Sequence, residues 1–241
     1  ILDIGLHHDI IEKEDTPYYY IQPAEVAEWI KKRERFSDKY DYGHLLVVAG
    51  SRGMAGAASM TARAALHSGA GLVSIHSAAR CETILQTALP EAIFEADDNE
   101  NHISDIQLTR RYNSIAIGPG LGTHTDTREA FIRLLPQLTY PIVVDADALN
   151  LMQGNATTLS LLPRQSIITP HHREFDRLFG ESTTQYERLQ KAVEMSRHYQ
   201  IVIVLKGAHT AIVSPEGKIY FNGTENPGMA TAGSGDTLTG I

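Results

Sequence analysis

The chain has 241 residues, 42% hydrophobic and 21% charged, which fits one globular α/β domain with a short additional segment. Its net charge of −8 and the lack of any apolar run near the ~18 residues of a membrane span argue against nucleic-acid and membrane binding. The single cysteine, Cys81, cannot form a disulfide within the chain, so we expect a reducing, cytoplasmic environment.

The first forty residues differ in composition from the rest. They are charged and rich in tyrosine, and they show no clear strand pattern. We expect a linker followed by one helix over about residues 23–34, with Trp29 and Ile30 packed on the body of the protein.

Short apolar runs alternate with helix-like segments in the remaining chain. The strand-like runs are 44–50, 71–77, 114–118, 141–146, 166–170 and 201–207, and the helix-like segments are 57–68, 126–138, 172–179 and 184–199. Continuous apolar runs are typical of strands buried on both faces, so the pattern predicts a doubly wound α/β fold with a parallel sheet. Residues 209–215 and 218–222 predict a hairpin at the sheet edge.

Ligands of open α/β sheets bind beyond the carboxyl ends of the strands, where two glycine-rich turns occur here. The turn at 50–58, GSRGMAGAA, lacks the G-x-G-x-x-G fingerprint of dinucleotide-binding proteins. It either admits a ligand near the backbone of Ala57 or allows close helix–sheet packing. The stretch 119–127, PGLGTHTDT, exposes backbone at Gly120 and Gly122, as a ligand-binding surface or as a simple loop.

Two carboxylates follow the strand at 141–146. In DADALN, Asp145 is favoured as a metal or hydroxyl ligand, whereas Asp147 and Asn150 are favoured as caps of the next helix. These alternatives remain open on the sequence alone.

Charged residues also follow the next two strands. His171 could contact a ligand, although a lone histidine is often structural, and Glu174 and Arg177 lie on one helix face. Lys206 ends a buried strand, where a lysine is costly unless a carboxylate or an anion meets it, and this favours contact with a phosphate.

The stretch ATAGSGDTLTG near the C-terminus is the most specific chemical signal. Gly233 and Gly235 flank Ser234, and a helix is expected to start near Asp236. Bare backbone N–H groups at a helix start form an anion hole. A carboxylate beside that hole suits a base that takes the proton of a hydroxyl attacking a phosphate.

Taken together, these stretches resemble the ribokinase-like superfamily and, within it, the ADP/ATP-dependent NAD(P)H-hydrate dehydratase family. The matching stretches are GSRGMAGAASMTARAALHSGAGLVSI, AIGPGLG, DADALN, TPHHREFDRL, VIVLKGAHT and NPGMATAGSGDTLTGI, in family order over residues 37–241. The resemblance implies a ribokinase-like three-layer α/β/α sandwich, with a mostly parallel sheet and an antiparallel edge hairpin.

The resemblance also implies an activity. The family repairs NADH and NADPH hydrated at ring carbon 6 (NADHX and NADPHX, S epimer), by phosphorylating the ring hydroxyl and eliminating phosphate. ADP, or less expectedly ATP, is the co-substrate, Mg²⁺ the cofactor, and a homotetramer the expected assembly.

The site residues implied by the resemblance fall into four groups. Asp236 matches the base, which also contacts the hydrate, and Gly233, Ser234 and Gly235 match the anion hole. Lys206, Gly207, Ala208, His209 and Thr210, with Gly235, match the nucleotide site. Ala57, Gly120 and His171 match further hydrate contacts, and Glu174 and Asp145 are the candidate metal ligands.

Two features depart from the family pattern. Ala232 replaces a usual glycine, and we expect it to adopt ordinary φ. The chain ends where family members continue, so we expect residues 23–241 to be a C-terminally incomplete dehydratase domain. Residues 1–22 are interpreted as a linker or the remnant of a preceding epimerase domain.

Two alternatives of other kinds remain. One is a small-molecule kinase of the same superfamily, acting on hydroxyethylthiazole or a pyrimidine alcohol and releasing a stable phosphorylated product. The other is a non-catalytic module that senses adenylate.

Overall fold

The computed structural model describes residue 5, residues 7–224 and residues 226–241, and the described chain forms one ten-stranded sheet flanked by helices. The strands are β1 Tyr18–Ile21, β2 His44–Val48, β3 Leu72–Ser77, β4 Ile93–Ala96, β5 Ser114–Ile117, β6 Val143–Val144, β7 Ile167–Ile168, β8 Val202–Leu205, β9 Ala211–Val213 and β10 Ile219–Asn222. The helices are α1 His8–Lys13, α2 Pro23–Trp29, α3 Ala55–Ser68, α4 Glu82–Ala88, α5 Thr125–Leu134, α6 Ala146–Met152, α7 Ala156–Ser160, α8 His172–Phe179, α9 Gln185–Tyr199 and α10 Ser234–Thr239.

The sheet is mostly parallel, as the apolar runs predict. Its strand order is β1-β10-β9-β8-β7-β6-β5-β2-β3-β4. All neighbours from β8 to β4 pair in parallel, whereas β9 is antiparallel to both β8 and β10. Because the parallel strands run the same way, their carboxyl ends meet at one edge of the sheet, which is where the loops of interest lie.

Both faces of the central strands are covered, which gives three layers. Leu46, Val47 and Val48 of β2 are all fully buried, although neighbouring side chains in a strand point to opposite faces. Leu46 and Val48 join a core built with α5, α6, α8 and α9, and Val47 joins a second core with α3 and α4. The α/β/α sandwich is therefore confirmed.

The hairpin of β9 and β10 is confirmed, but it is not the outermost part of the sheet. Strand β1 pairs in parallel with β10, so residues 18–21 form the edge, and the expectation of no strand in the first forty residues is wrong. Tyrosine favours strands, and the Tyr19 ring stacks on the Tyr220 ring with centroids 5.1 Å apart.

Helix α2 is shorter than expected and lies on the surface. It starts with Pro23 behind a capping box of Gln22 and Glu25 and ends at Trp29 rather than near residue 34. Trp29 is 63% exposed, and Ile30 is 73% exposed, so the expected packing of these side chains on the body is wrong.

The chain after α2 makes tertiary contacts that compete with continued helix. Arg33 donates a hydrogen bond to the Gly69 carbonyl at 2.9 Å, and its guanidinium lies 4.2 Å from the centre of the Tyr42 ring. These contacts draw the chain away from the helix axis towards the end of α3.

Elements without a sequence prediction are β4 and helices α1, α4 and α7. The interpretation of residues 1–22 stays a prediction, and residues 1–4 and 6 lie outside the described residues. Among the described residues, no helix combines the length and the apolar character needed to cross a bilayer.

Candidate active site

The start of α10 meets the ends of β6 and β8 at the carboxyl edge of the sheet. A Cβ at Gly235 would lie 3.5 Å from Lys206 Nζ and 3.8 Å from Asp145 Oδ2. Residues from three distant parts of the chain therefore surround the first turn of this helix, as the sequence predicted for a ligand-binding edge.

The backbone at the start of α10 presents unpaired donors. Gly233 precedes the helix with φ of +91°, and the first bond that closes a helical turn is from Thr237 N–H to the Gly233 carbonyl, at 2.9 Å. The N–H groups of Ser234, Gly235 and Asp236 therefore have no acceptor within the helix. This arrangement favours an anion at this point.

Ala232 does not adopt the left-handed backbone conformation. The non-glycine residues with positive φ in the described chain are Ala146, Gln165 and Gln200. The expectation of ordinary φ at Ala232 is confirmed, because the left-handed conformation falls on Gly233 instead.

A buried carboxylate holds the lysine at the end of β8. Asp145 is 1% exposed, and its Oδ1 accepts a hydrogen bond from Lys206 Nζ at 2.8 Å. Its Oδ2 accepts a bond from the Thr239 hydroxyl at 2.7 Å. The partner that Lys206 requires is thus a carboxylate of the same chain. Through its two oxygens, Asp145 links the end of β6 to the end of β8 and to α10.

The surroundings of the Asp236 carboxyl shift its pKa. Burial, and next the nearby Asp145 carboxylate, raise its pKa above the ordinary value. The Thr61 hydroxyl donates to the Asp236 carbonyl at 3.0 Å and so fixes the backbone of this turn against α3. Among the described residues, no hydrogen bond to the Asp236 carboxylate is seen, so its oxygens are available to a ligand.

His171 caps α8 and lies beside the end of β8. Its Nδ1 accepts bonds from the N–H groups of Arg173 at 3.1 Å and Glu174 at 3.2 Å, and its backbone forms a parallel bridge with Lys206. Burial, and next the Lys206 charge, lower the His171 pKa, so the imidazole is neutral near pH 7. Helix α8 starts at His172, as the segment 172–179 predicts, and His171 serves as its N-cap.

The Glu174 carboxylate is buried at the same helix start. Its Oε2 accepts the His171 N–H at 2.8 Å, while its Oε1 only approaches His171 Nε2, at 3.4 Å. Burial raises the Glu174 pKa. A buried carboxylate with one oxygen this weakly partnered suits a cation.

The two glycine-rich turns lie against each other. Gly120 has φ of +63°, and a Cβ there would lie 2.9 Å from the Met54 carbonyl oxygen and 3.0 Å from Ala57 Cβ. The Ser51 hydroxyl donates to the Gly120 carbonyl at 2.8 Å. The structure thus brings Ala57 and Gly120 together at the start of α3.

The expected capping role of Asp147 and Asn150 is wrong. Helix α6 begins at Ala146, so Asp147 lies inside its first turn rather than before it. Asp147 Oδ2 instead accepts the Gly122 N–H at 2.9 Å, and Asn150 Oδ1 accepts a bond from Arg177 at 2.6 Å. The sequence could not show this, because the donors come from distant segments, Gly122 from the loop after β5 and Arg177 from α8.

A cavity of about 450 Å³ lies between the 206–210 loop and the start of α10. Its lining includes Lys206, Gly207, Ala208, Thr210, Ser234 and Gly235. Most of the residues predicted to bind the nucleotide therefore line the same cavity as two residues of the predicted anion hole.

Other predicted residues lie outside that lining. His209 faces a neighbouring cavity of about 350 Å³ that also contacts His172 and Tyr186. Asn222 and Asn226 line the larger cavity and were missed in the sequence. The Asn-Pro pair at 226–227 offered the one usable signal, because Asn before Pro marks a turn that can face a site.

Comparison with known proteins gives the following matches. Residues 45–241 match the family model described as NAD(P)H-hydrate dehydratase. The bifunctional NAD(P)H-hydrate repair enzyme Nnr of Moorella thermoacetica is 36% identical over 251 residues, covering 100% of this chain and 47% of that protein. The ADP-dependent (S)-NAD(P)H-hydrate dehydratase of Bacillus subtilis is 36% identical over 214 residues, covering 88% of this chain and 75% of that protein.

A crystal structure of the Bacillus subtilis ADP/ATP-dependent NAD(P)H-hydrate dehydratase, co-crystallised with ATP and Mg²⁺, is similar in fold. Its TM-score is 0.76 at 34% identity, with 88% of this chain and 75% of that chain covered. The chain spans about half the length of the bifunctional relatives that it matches.

Proposed function

The chain belongs to the NAD(P)H-hydrate dehydratase family, and from that premise we propose that it restores hydrated NADH and NADPH at the expense of ADP. The reaction releases AMP and phosphate, which makes the protein a hydro-lyase of metabolite repair. The observation that carries the proposal is the cavity of about 450 Å³ that joins the 206–210 loop to Ser234 and Gly235 at the start of α10, the helix that also carries Asp236.

The chemistry has two stages. The hydroxyl oxygen on ring carbon 6 attacks the terminal phosphorus of the nucleotide, whose bond to the bridging oxygen breaks, and AMP leaves. The ring nitrogen then expels phosphate from carbon 6, and the neighbouring ring carbon loses a proton, so the double bond of the dihydropyridine returns. Phosphate is a better leaving group than hydroxide, and this is what the nucleotide contributes.

Asp236 takes the proton from the ring hydroxyl in the first stage. Burial and the nearby Asp145 carboxylate raise its pKa, which makes it a stronger base than an ordinary carboxylate. The unpaired N–H groups of the first turn of α10, with the residues Gly233, Ser234 and Gly235, stabilise the charge on the transferring group.

Lys206 holds the nucleotide phosphates together with the backbone of Gly207, Ala208 and Thr210. Its ammonium is paired with Asp145 at 2.8 Å, which fixes the direction in which the lysine points. We assign His209 to the same nucleotide segment, on the side of the smaller cavity. Ala57, Gly120 and the neutral imidazole of His171 are proposed to contact the hydrate.

Mg²⁺ is proposed as the metal that accompanies the nucleotide. Glu174 fits it well, because its buried carboxylate keeps one oxygen without a close donor, and Mg²⁺ favours one or two carboxylates plus phosphates and water. Asp145 fits less well, since both of its oxygens already accept hydrogen bonds. When bound, Mg²⁺ neutralises charge on the phosphate oxygens.

A homotetramer and a cytoplasmic location complete the proposal. The free, buried Cys81 is compatible with a reducing compartment. Sedimentation equilibrium tests the assembly, and a monomer at micromolar concentration would contradict that part of the proposal alone.

Replacing Asp236 with asparagine tests the catalytic assignment. The variant keeps the backbone donors of α10 but loses the base, so turnover of authentic hydrate with ADP falls by about 10²–10⁴-fold. Nucleotide affinity measured by calorimetry stays close to that of the wild type.

Glu194→Gln is the matched control, because it removes an exposed carboxylate on α9 that is not among the proposed site residues. Its turnover equals that of the wild type. An Asp236→Asn variant within tenfold of wild-type turnover would show that another group is the base.

A further inference from the structure

A group of two histidines and one aspartate lies outside the proposed nucleotide and hydrate contacts. One ligand atom each of His102, His124 and Asp126 lies within 4.8 Å of the other two, and within the described ranges this is the one such group found. His102 Nε2 is 3.1 Å from Asp126 Oδ2, and His124 Nδ1 is 3.5 Å from the same oxygen. The potential ligand atoms therefore converge on one point.

The two imidazoles are stacked, with ring centroids 3.8 Å apart and planes 21° from parallel. Since both rings direct a nitrogen to the same Asp126 oxygen, the nitrogens lie on the same side of the stack. His102 is mostly covered, with 17% of its side chain exposed, whereas His124 and Asp126 are about half exposed. One ligand is thus held by packing, and the other two can adjust to an ion.

The backbone that carries these residues is joined across two loops. The Thr127 hydroxyl of α5 donates to the carbonyl of the fully buried Ile103 at 2.6 Å, next to His102. His124 is the N-cap of α5, and its Nδ1 accepts the Asp126 N–H at a long 3.3 Å. The backbone is therefore held in place next to His102 and at the start of α5. The hydrogen bond that a metal at His124 Nδ1 would replace, from the Asp126 N–H, is weak.

The ligand chemistry selects the class of ion. Imidazole nitrogen suits borderline transition metals, whereas Mg²⁺ and Ca²⁺ prefer oxygen ligands alone. Three protein ligands with open access to solvent match a tetrahedral ion that keeps one water.

We propose that His102, His124 and Asp126 form a binding site for a borderline divalent transition-metal ion, with Zn²⁺ as the best fit. The ion joins the loop after β4 to the loop that carries Gly120 and Gly122, at the carboxyl edge of the sheet. It acts as a clamp on those loops and takes no part in phosphoryl transfer.

Calorimetric titration of Zn²⁺ into the chelator-treated full chain tests the proposal. The wild type binds one Zn²⁺ at this site, and excess Mg²⁺ does not compete. His102→Gln and His124→Asn each lower the affinity by about tenfold or more, because each removes one of three ligands. Asparagine at 124 keeps the N-cap acceptor of α5, so that variant separates metal binding from helix capping.

His67→Gln is the control, since His67 is an exposed histidine on α3 outside the group. It leaves Zn²⁺ affinity unchanged. Zn²⁺ also raises the thermal unfolding midpoint of the wild type but not that of the His102→Gln/His124→Asn double variant.

Co²⁺ supplies a readout that does not depend on the stability of the variants. The wild type gives visible ligand-field bands of tetrahedral Co²⁺, which Zn²⁺ abolishes. No such bands in the wild type, or Zn²⁺ affinity in the double variant equal to that of the wild type, would overturn the proposal.

Discussion

The Lys206 ammonium meets two demands at the residue scale: it neutralises the buried Asp145 carboxylate, and it lies beside the first turn of α10. A cation at the end of a buried strand needs such a partner, because desolvation of an unpaired charge costs several kcal/mol. The sequence predicted that need but not the partner, since Asp145 is 61 positions away. Only the packing of β6 near β8 brings them together.

Lys206→Met is expected to cost about 3 kcal/mol of unfolding free energy, because it leaves Asp145 buried without its cation. Urea denaturation measures this cost. The Lys206→Met/Asp145→Asn double variant costs less than the sum of the two single variants, since neither charge remains unpaired. Strict additivity would contradict the pairing described here.

At the scale of elements, the start of α10 depends on one glycine. Gly233 adopts φ of +91°, and a Cβ there would overlap Met60 Sδ of α3. The short helix is held by α3 at this contact and by the bond of Thr61 to the Asp236 carbonyl. The glycine therefore serves the left-handed turn, whereas the overlap involves only the flexible end of the Met60 side chain.

Gly233→Ala is expected to weaken ADP binding by about tenfold, because it displaces N–H donors that contact a charged group. Gly154→Ala is its control: Gly154 has φ of +71° but no atom within 4 Å of an added Cβ. The control loses about 1 kcal/mol of stability from backbone strain, with ADP affinity unchanged. Calorimetry and urea denaturation measure the two quantities, and equal ADP affinities would contradict the role of Gly233.

The central strands of the sheet were predictable, while the edge strand β1 was not. Apolar runs such as 44–50 identify β2 because burial on both faces selects such residues. Strand β1 has tyrosines that are each about 40% exposed, so it shows neither alternation nor a continuous apolar run. Its pairing depends on β10, which lies about 200 residues later in the chain.

For the whole molecule, acid sensitivity should depend strongly on Asp97. Burial alone would raise its pKa, but hydrogen bonds from His76, Ser104, Asn99 and Asp105 outweigh burial and hold the pKa well below the usual range. Because the folded-state pKa is depressed, the stabilisation is present above the unfolded value of 3.8 and is lost as the pH falls below it.

The free energy of unfolding is therefore expected to fall steeply below about pH 4 in the wild type. Asp97→Asn is less stable at neutral pH but has a shallower acid dependence. Asp98→Asn, at the exposed neighbouring position, keeps the wild-type slope. Urea denaturation at a series of pH values provides the comparison, and identical slopes for all three proteins would contradict the role of Asp97.

For the whole candidate site, the sequence predicts which strands contribute residues at their carboxyl ends. The residues after β2, β5, β6, β7 and β8 were all predicted as candidates, because parallel strands present their carboxyl ends at one edge. The contacts within the site were not, since they join distant segments, as Asp147 joins Gly122. The pattern of apolar residues in the sequence predicts the fold class, whereas the hydrogen-bond partners depend on how distant segments pack together.

The most direct test of the central claim is a single assay of the wild-type protein with authentic NADHX and ADP. NADH absorbance, AMP and inorganic phosphate are followed together, with ATP in a parallel reaction. The proposed function predicts that the three products appear in equal amounts. A phosphorylated product that persists would instead indicate a kinase, and ADP binding without phosphate release would indicate a sensing module.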